Sequence, residues 1–166
     1  MAFPFYQDMG YSGSEIGIVS GLVGKFITIS GALIGGVLVV RYGVMRMLLA
    51  GAIIVILTNL LFAWLAGQQP LVIWLILVVG ADNLAGGLAG TVFIAYLSSL
   101  TNRAYTATQY ALFSSIMLLL PKFIGGFSGV VVDASNYPVF FMYAAALGLP
   151  SVLLILLLMK KQAVQA

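Results

Sequence analysis

Three ionisable side chains, Lys25, Asp82 and Lys122, stand inside otherwise apolar stretches of this 166-residue sequence. An ionisable group near the centre of a bilayer costs at least ~2.5 kcal/mol on insertion scales, so each calls for a use. One carboxylate with two ammonium groups leaves an excess of positive charge, which suits an anionic solute. Asp82 is then available to carry a proton. A buried Lys–Asp pair that only holds helices together is the competing reading. Asn83, beside the carboxylate, and Gln109 and Ser115, later in the chain, are the uncharged polar groups assigned to the same solute and proton pathway.

The chemistry open to the chain is bounded by what it lacks. It has no cysteine and no histidine, so disulfides, thiol chemistry and the usual zinc sites are excluded, and no metal or other cofactor is expected. Asp82 is the one carboxylate well inside an apolar span, whereas intramembrane aspartyl proteolysis needs two facing carboxylates, so the chain does not read as an enzyme. A net charge of +3, dispersed along the sequence, is too small to imply a nucleic-acid partner.

The elements that must position these residues are membrane helices. The chain is 63% hydrophobic and 7% charged, with a mean hydropathy of +1.17, outside the range of a soluble domain. Long apolar blocks, rather than short alternating ones, favour helices over a barrel, and the expected partner is the lipid bilayer. Residues 1–13 read as a loop. Five spans follow at about 14–40, 47–66, 71–97, 106–132 and 139–159, with 160–166 as a tail. Ser14 and Glu15 suit the positive end of the first helix, and Pro150 marks a kink in the last.

Basic residues in the connections orient the spans. Arg41, Arg46, Arg103, Lys160 and Lys161 all fall on one side, which is therefore cytoplasmic, with the N-terminus outside. An exported N-terminus without a signal peptide normally follows an earlier span, so the chain reads as part of a longer protein. Translocation of the short tail by itself is the other possibility.

With this orientation, depths can be compared. Lys25 is 11 residues from Ser14, Asp82 is 11 from Leu71 and Lys122 is 10 from Val132. At 1.5 Å per residue each lies ~15 to 17 Å below the outer end of its span, near the midplane. A lysine stem of ~6 Å does not readily snorkel over that distance. On a helical wheel Gly17, Gly21, Gly24, Lys25, Thr28, Gly31 and Gly35 share an arc of roughly 120°. Asp82 shares one with Asn83, Gly86, Gly87 and Gly90, and Lys122 with Thr108, Ala111, Ser115, Gly126 and Gly129. Small-residue faces of this kind turn toward other helices or a cavity, and their glycines are read first as packing positions. Thr58 and Asn59 read as interhelical hydrogen-bond partners, while Gln109 and Tyr110 are placed to line a cavity mouth.

The run Asp82-Asn83-Leu84-Ala85-Gly86-Gly87-Leu88-Ala89-Gly90-Thr91, followed by Thr106-Ala107-Thr108-Gln109-Tyr110-Ala111, resembles the AmpG-type muropeptide permeases of the major facilitator superfamily. Ser14-Glu15-Ile16-Gly17, Gly31 to Gly36, and Pro121-Lys122 with Gly125, Gly126 and Gly129 agree with it. Gly36, Leu38, Arg41 and Gly43, with Arg46 and Arg103 on the same side, resemble the superfamily's cytoplasmic loops, although Val40 stands where the motif has an aspartate.

The resemblance implies an all-α integral membrane fold whose five helices make up most of the C-terminal six-helix half of such a transporter. It implies a proton-driven importer of anhydromuropeptides in the bacterial inner membrane, serving cell-wall recycling. A missing N-terminal half or a second copy would complete it. Related carriers of acyl-coenzyme A or drugs leave the solute open, and a non-transporting regulatory or remnant membrane protein is the alternative reading.

Overall fold

The computed structural model describes residues 2–101 and 106–165. Its elements are α1 (Ala2–Asp8), α2 (Gly13–Ile16), a π-helical segment (Gly17–Val23), α3 (Gly24–Tyr42), α4 (Val44–Leu65), α5 (Val72–Leu100), α6 (Thr106–Gly126), α7 (Ser128–Ala134) and α8 (Tyr137–Gln165). Five stretches are long and apolar enough to cross a membrane: Gly13–Tyr42, Val44–Leu65, Val72–Leu100, Ala107–Ala134 and Tyr137–Lys161. The chain is a multi-pass helical membrane protein, and among the described residues there is no strand.

The long helices pack in a row. α3 lies on α5, α5 on α4 and α4 on α8, with α6 and α7 at the edge. Small side chains set the first of these contacts. A Cβ on Gly24 would stand 3.1 Å from Asn83 Nδ2, and one on Gly35 would stand 3.0 Å from the Leu88 carbonyl oxygen. On Gly31 or Gly87 it would overlap the carbonyl oxygens of Leu84 and Thr28. The backbones of α3 and α5 therefore touch, which maximises dispersion contact where no hydrophobic effect drives association. Gly148 of α8 is equally close to the Ile56 side chain of α4. A large apolar stripe that runs from Leu22 of the π-helical segment along α3 through Phe26, Leu33 and Val37 faces outward.

Several local features depart from the sequence reading. The segment expected as a loop at 1–13 contains α1, because Phe5 and Tyr6 bury themselves among α4, α5 and α8 and thereby stabilise a helix too short to persist alone. The first span begins with Ser12, not Ser14, as N-cap. Ser12 Oγ accepts from the Glu15 amide and Glu15 Oε2 accepts from the Ser12 amide at 2.8 Å, a reciprocal capping box. The fourth span is broken at Phe127, whose amide donates to the Ile124 carbonyl after the Gly125-Gly126 pair. The turn placed at 133–138 is shorter. α7 reaches Ala134 and α8 starts at Tyr137, with Asn136 Oδ1 accepting from the Val139 amide at 3.0 Å. Between α3 and α4, Gly43 adopts φ 86° and ψ 153°, a backbone region essentially confined to glycine.

Two buried clusters lie toward opposite ends of the helices, each joining α4, α5 and α8. The one beside α1 joins Phe5, Tyr6, Tyr11, Phe62, Leu75 and Phe141 among others. The one at the basic end holds Met47, Leu48, Leu88, Val92 and Ile155.

Candidate functional site

Asp82 and Asn83 are neighbours on α5 and face different helices, since successive helical residues diverge by about 100°. Asn83 turns toward α3. Its Oδ1 is 2.8 Å from the Thr28 hydroxyl, its Nδ2 donates to the Val79 carbonyl at 2.8 Å, and Thr28 Oγ1 also lies 2.9 Å from the Gly24 carbonyl. The amide thus has partners on both sides, which is what a polar group inside a membrane bundle requires.

Asp82 turns toward α4 and is half-buried. Its polar neighbour there is Thr58, 3% exposed, whose hydroxyl is also 3.0 Å from the Val55 carbonyl of its own helix. Asn59 donates likewise to Val55, at 2.9 Å. The bonds that these two side chains donate to backbone run within α4, so among the described residues the expectation of interhelical partners is met at Thr58 by proximity to Asp82 and is not met at Asn59. Competition from the carbonyl one turn back, always within reach of a helical Thr or Asn, accounts for this. A third neighbour of Asp82 is Tyr6, on α1. Sequence reasoning passed over it; the density of aromatics at Phe3, Phe5 and Tyr6 was the available signal.

The structure brings Asp82 to Thr58 and Tyr6, and Asn83 to Thr28. Lys25 and Lys122 are exposed, on α3 and α6, and among the described residues no ion pair joins either of them to Asp82. Lys25 follows Gly24, the first glycine of the α3–α5 contact, and its side chain projects about 100° away from it. Gln109 is half-buried near the start of α6. Ser115 is exposed and donates to the Ala111 carbonyl at 2.7 Å.

The glycines divide into two groups. Gly24, Gly31 and Gly35 lie in the α3–α5 contact, together with Gly87. Among the described residues, Gly17, Gly21, Gly86, Gly90 and Gly126 have no atom beyond their own helix's backbone within 4 Å of where a Cβ would be. For Gly17 and Gly21 the reason is the π-helical segment. Its amides reach back five residues, as Gly24 does to Val19, so each residue turns through a smaller angle and the regular wheel no longer applies. Gly86 and Gly90 leave open space one and two turns from Asp82. Gly129 lies half-buried on α7.

On the basic side, Arg41 stands 5.4 Å from the Tyr42 ring centroid, Gly43 makes the α3–α4 turn, and Arg46 is exposed in the first turn of α4. Arg103 lies outside the described residues. A cavity of about 560 Å³ opens between α4, α5, α6 and α8, lined mostly by apolar groups with Asn59, Tyr96 and Ser151. Asp82, Lys25 and Lys122 are not among its lining residues.

No family model matches the chain. Individual proteins do. A Rickettsia conorii chain bearing the name transporter AmpG 4 is 32% identical over 161 residues, covering 97% of this chain and 39% of its own length. The anhydromuropeptide permease of Escherichia coli K12 is 31% identical over 161 residues, covering 90% and 30%. Rickettsia prowazekii AmpG 1 is 31% identical over 158 residues, covering 94% and 35%. The chain is an AmpG-type sequence, similar to these proteins over nine-tenths or more of its length and spanning 30% to 39% of theirs.

Proposed function

We propose that this chain supplies part of a proton-coupled secondary carrier that takes up anhydromuropeptides, or a similar anionic peptide–sugar conjugate, across the bacterial inner membrane for cell-wall recycling. The observation that carries the reading is the similarity to the Escherichia coli anhydromuropeptide permease along 90% of the chain. The site is in keeping with it. A half-buried carboxylate whose neighbours include the Thr58 hydroxyl and the Tyr6 phenol is neutralised by taking up a proton and needs water or a cation when it gives the proton up. That alternation is what coupling to a proton gradient requires.

In this reading Asp82 carries the proton, while Lys25 and Lys122, exposed on α3 and α6, meet the anionic groups of the solute. Asn83, Gln109 and Ser115 belong to the same pathway. The remaining part of the carrier, an N-terminal half or a second copy, faces these helices, and the two parts rock about the solute. The α1 end faces the periplasm and the basic end the cytosol.

Uptake of labelled anhydromuropeptide into membrane vesicles containing the complete carrier tests the proposal. Accumulation should require a proton gradient and collapse when a protonophore is added. Gradient-independent uptake, or none, contradicts it.

A further inference from the structure

The cavity between α4, α5, α6 and α8 has no part in the transport reading, and its shape is that of a groove. α4 meets α5 closely at Gly51, where a Cβ would stand 3.3 Å from Ala89 Cα, and meets α8 at Gly148, against Ile56. The floor is therefore closed, and Leu48, Val92 and Ile155 are buried in it. Among the described residues, α6 borders the space with Met117 alone. The rim on α8 is open. Leu154 and Leu158 line the groove yet remain 61% and 41% exposed.

The walls decide what can fill it. Asn59, Tyr96 and Ser151 carry the polar side chains of the lining. Counted from Val44, Leu100 and Lys160, at the basic ends of their helices, they stand ~22, ~6 and ~14 Å deep, so no two share a level. A buried water needs two to four polar partners and an anionic solute needs cations, and the groove offers neither. Hydrocarbon needs no such partners. From Ala144 to Leu158 the lining runs ~21 Å along α8, a little more than one leaflet of a ~30 Å bilayer core. Beyond Leu158 come Lys160 and Lys161, both exposed, with Lys161 one turn on from Leu158 and on its side of the helix. Tyr96 lies at the depth where a phenol meets the membrane interface.

We propose that the groove binds an anionic phospholipid from the leaflet at the basic end. One acyl chain lies along Val92 and Ile155, the phosphate meets Lys161 with Lys160 adding to the positive field, and Tyr96 stands at the level of the lipid esters. The lysines select the anionic headgroup. The acyl chain gives α6 an apolar neighbour across the space that Met117 alone borders. The inference needs neither Asp82 nor the identity of the solute, so it and the transport reading can fail separately.

The complete carrier containing this chain is purified in a mild detergent, titrated with phosphatidylglycerol or phosphatidylcholine, and its bound lipids are counted by native mass spectrometry. One phosphatidylglycerol per chain should bind about 10-fold more tightly than phosphatidylcholine, the scale set by lysines at a charged headgroup. Lys160→Gln with Lys161→Gln should abolish that preference and leave phosphatidylcholine binding as it was. Gly90→Leu, which enters the groove where a Cβ meets nothing within 4 Å, should displace both lipids. Ser151→Trp, at the exposed rim, should do the same and decides the matter if Gly90→Leu does not fold. Equal affinity for the two lipids overturns the proposal. So does phosphatidylglycerol bound undiminished in a folded groove-filling variant, which would put the lipid on the surface lysines alone. Absence of bound lipid overturns it as well, and is the result expected if the rest of the carrier or a second copy occupies the groove.

Discussion

The Thr28 hydroxyl on α3 lies 2.8 Å from Asn83 Oδ1 on α5, a side-chain hydrogen bond between the two helices whose backbones touch at Gly31 and Gly87. It fixes the rotation of α5 about its own axis. With Asn83 turned to α3, Asp82 is directed to α4 and the Thr58 side chain. The position of the carboxylate is therefore a consequence of the glycine contact next to it.

That contact predicts a contrast among glycines. Gly87→Ala or Gly31→Ala forces a methyl into a backbone carbonyl and should lower stability by about 1–3 kcal/mol, the usual cost of overpacking. Gly86→Ala, one residue from the first, meets open space and should be neutral or slightly stabilising. Unfolding of the purified chain in mixed micelles, followed by circular dichroism, measures both.

The polar link should be modest. A double-mutant cycle with Thr28→Val and Asn83→Leu is expected to give a coupling near ~0.6 kcal/mol and below ~1.7, the range found for hydrogen bonds between membrane helices. No coupling would show that Asn83 is held by the Val79 carbonyl alone.

At the other end of α3, Gly43→Ala should cost about 1–3 kcal/mol, because φ 86° with ψ 153° is strained for any residue with a Cβ. The substitution touches no neighbour within 4 Å, so thermal unfolding reads backbone strain without a packing component.

The five spans were legible in the sequence because a membrane helix announces itself by length and apolarity, and the face of Gly24, Gly31 and Gly35 because it follows the regular helical angle; the single arc drawn through Asp82, Asn83, Gly86, Gly87 and Gly90 is divided instead, Asn83 and Gly87 turning to α3 and Asp82 to α4. Two things escaped for physical reasons. α1 is a seven-residue helix held by Phe5 and Tyr6 against residues far along the chain, Phe62 and Phe141, and no local pattern encodes that. The π-helical segment changes the turn per residue, so Gly17 and Gly21 leave the face on which a wheel puts them. For Lys25 and Lys122, depth follows from the rise along each helix, but which group each one meets depends on how neighbouring helices are rotated. The side chains alone do not carry that information.

Asp82→Asn tests the central claim most directly, because it keeps the shape of the side chain and removes its exchangeable proton. In vesicles containing the complete carrier, the account predicts that gradient-driven anhydromuropeptide uptake falls to background while the amount of chain in the membrane is unchanged. Uptake by Asp82→Asn at the unsubstituted rate, with the same dependence on the proton gradient, would contradict it.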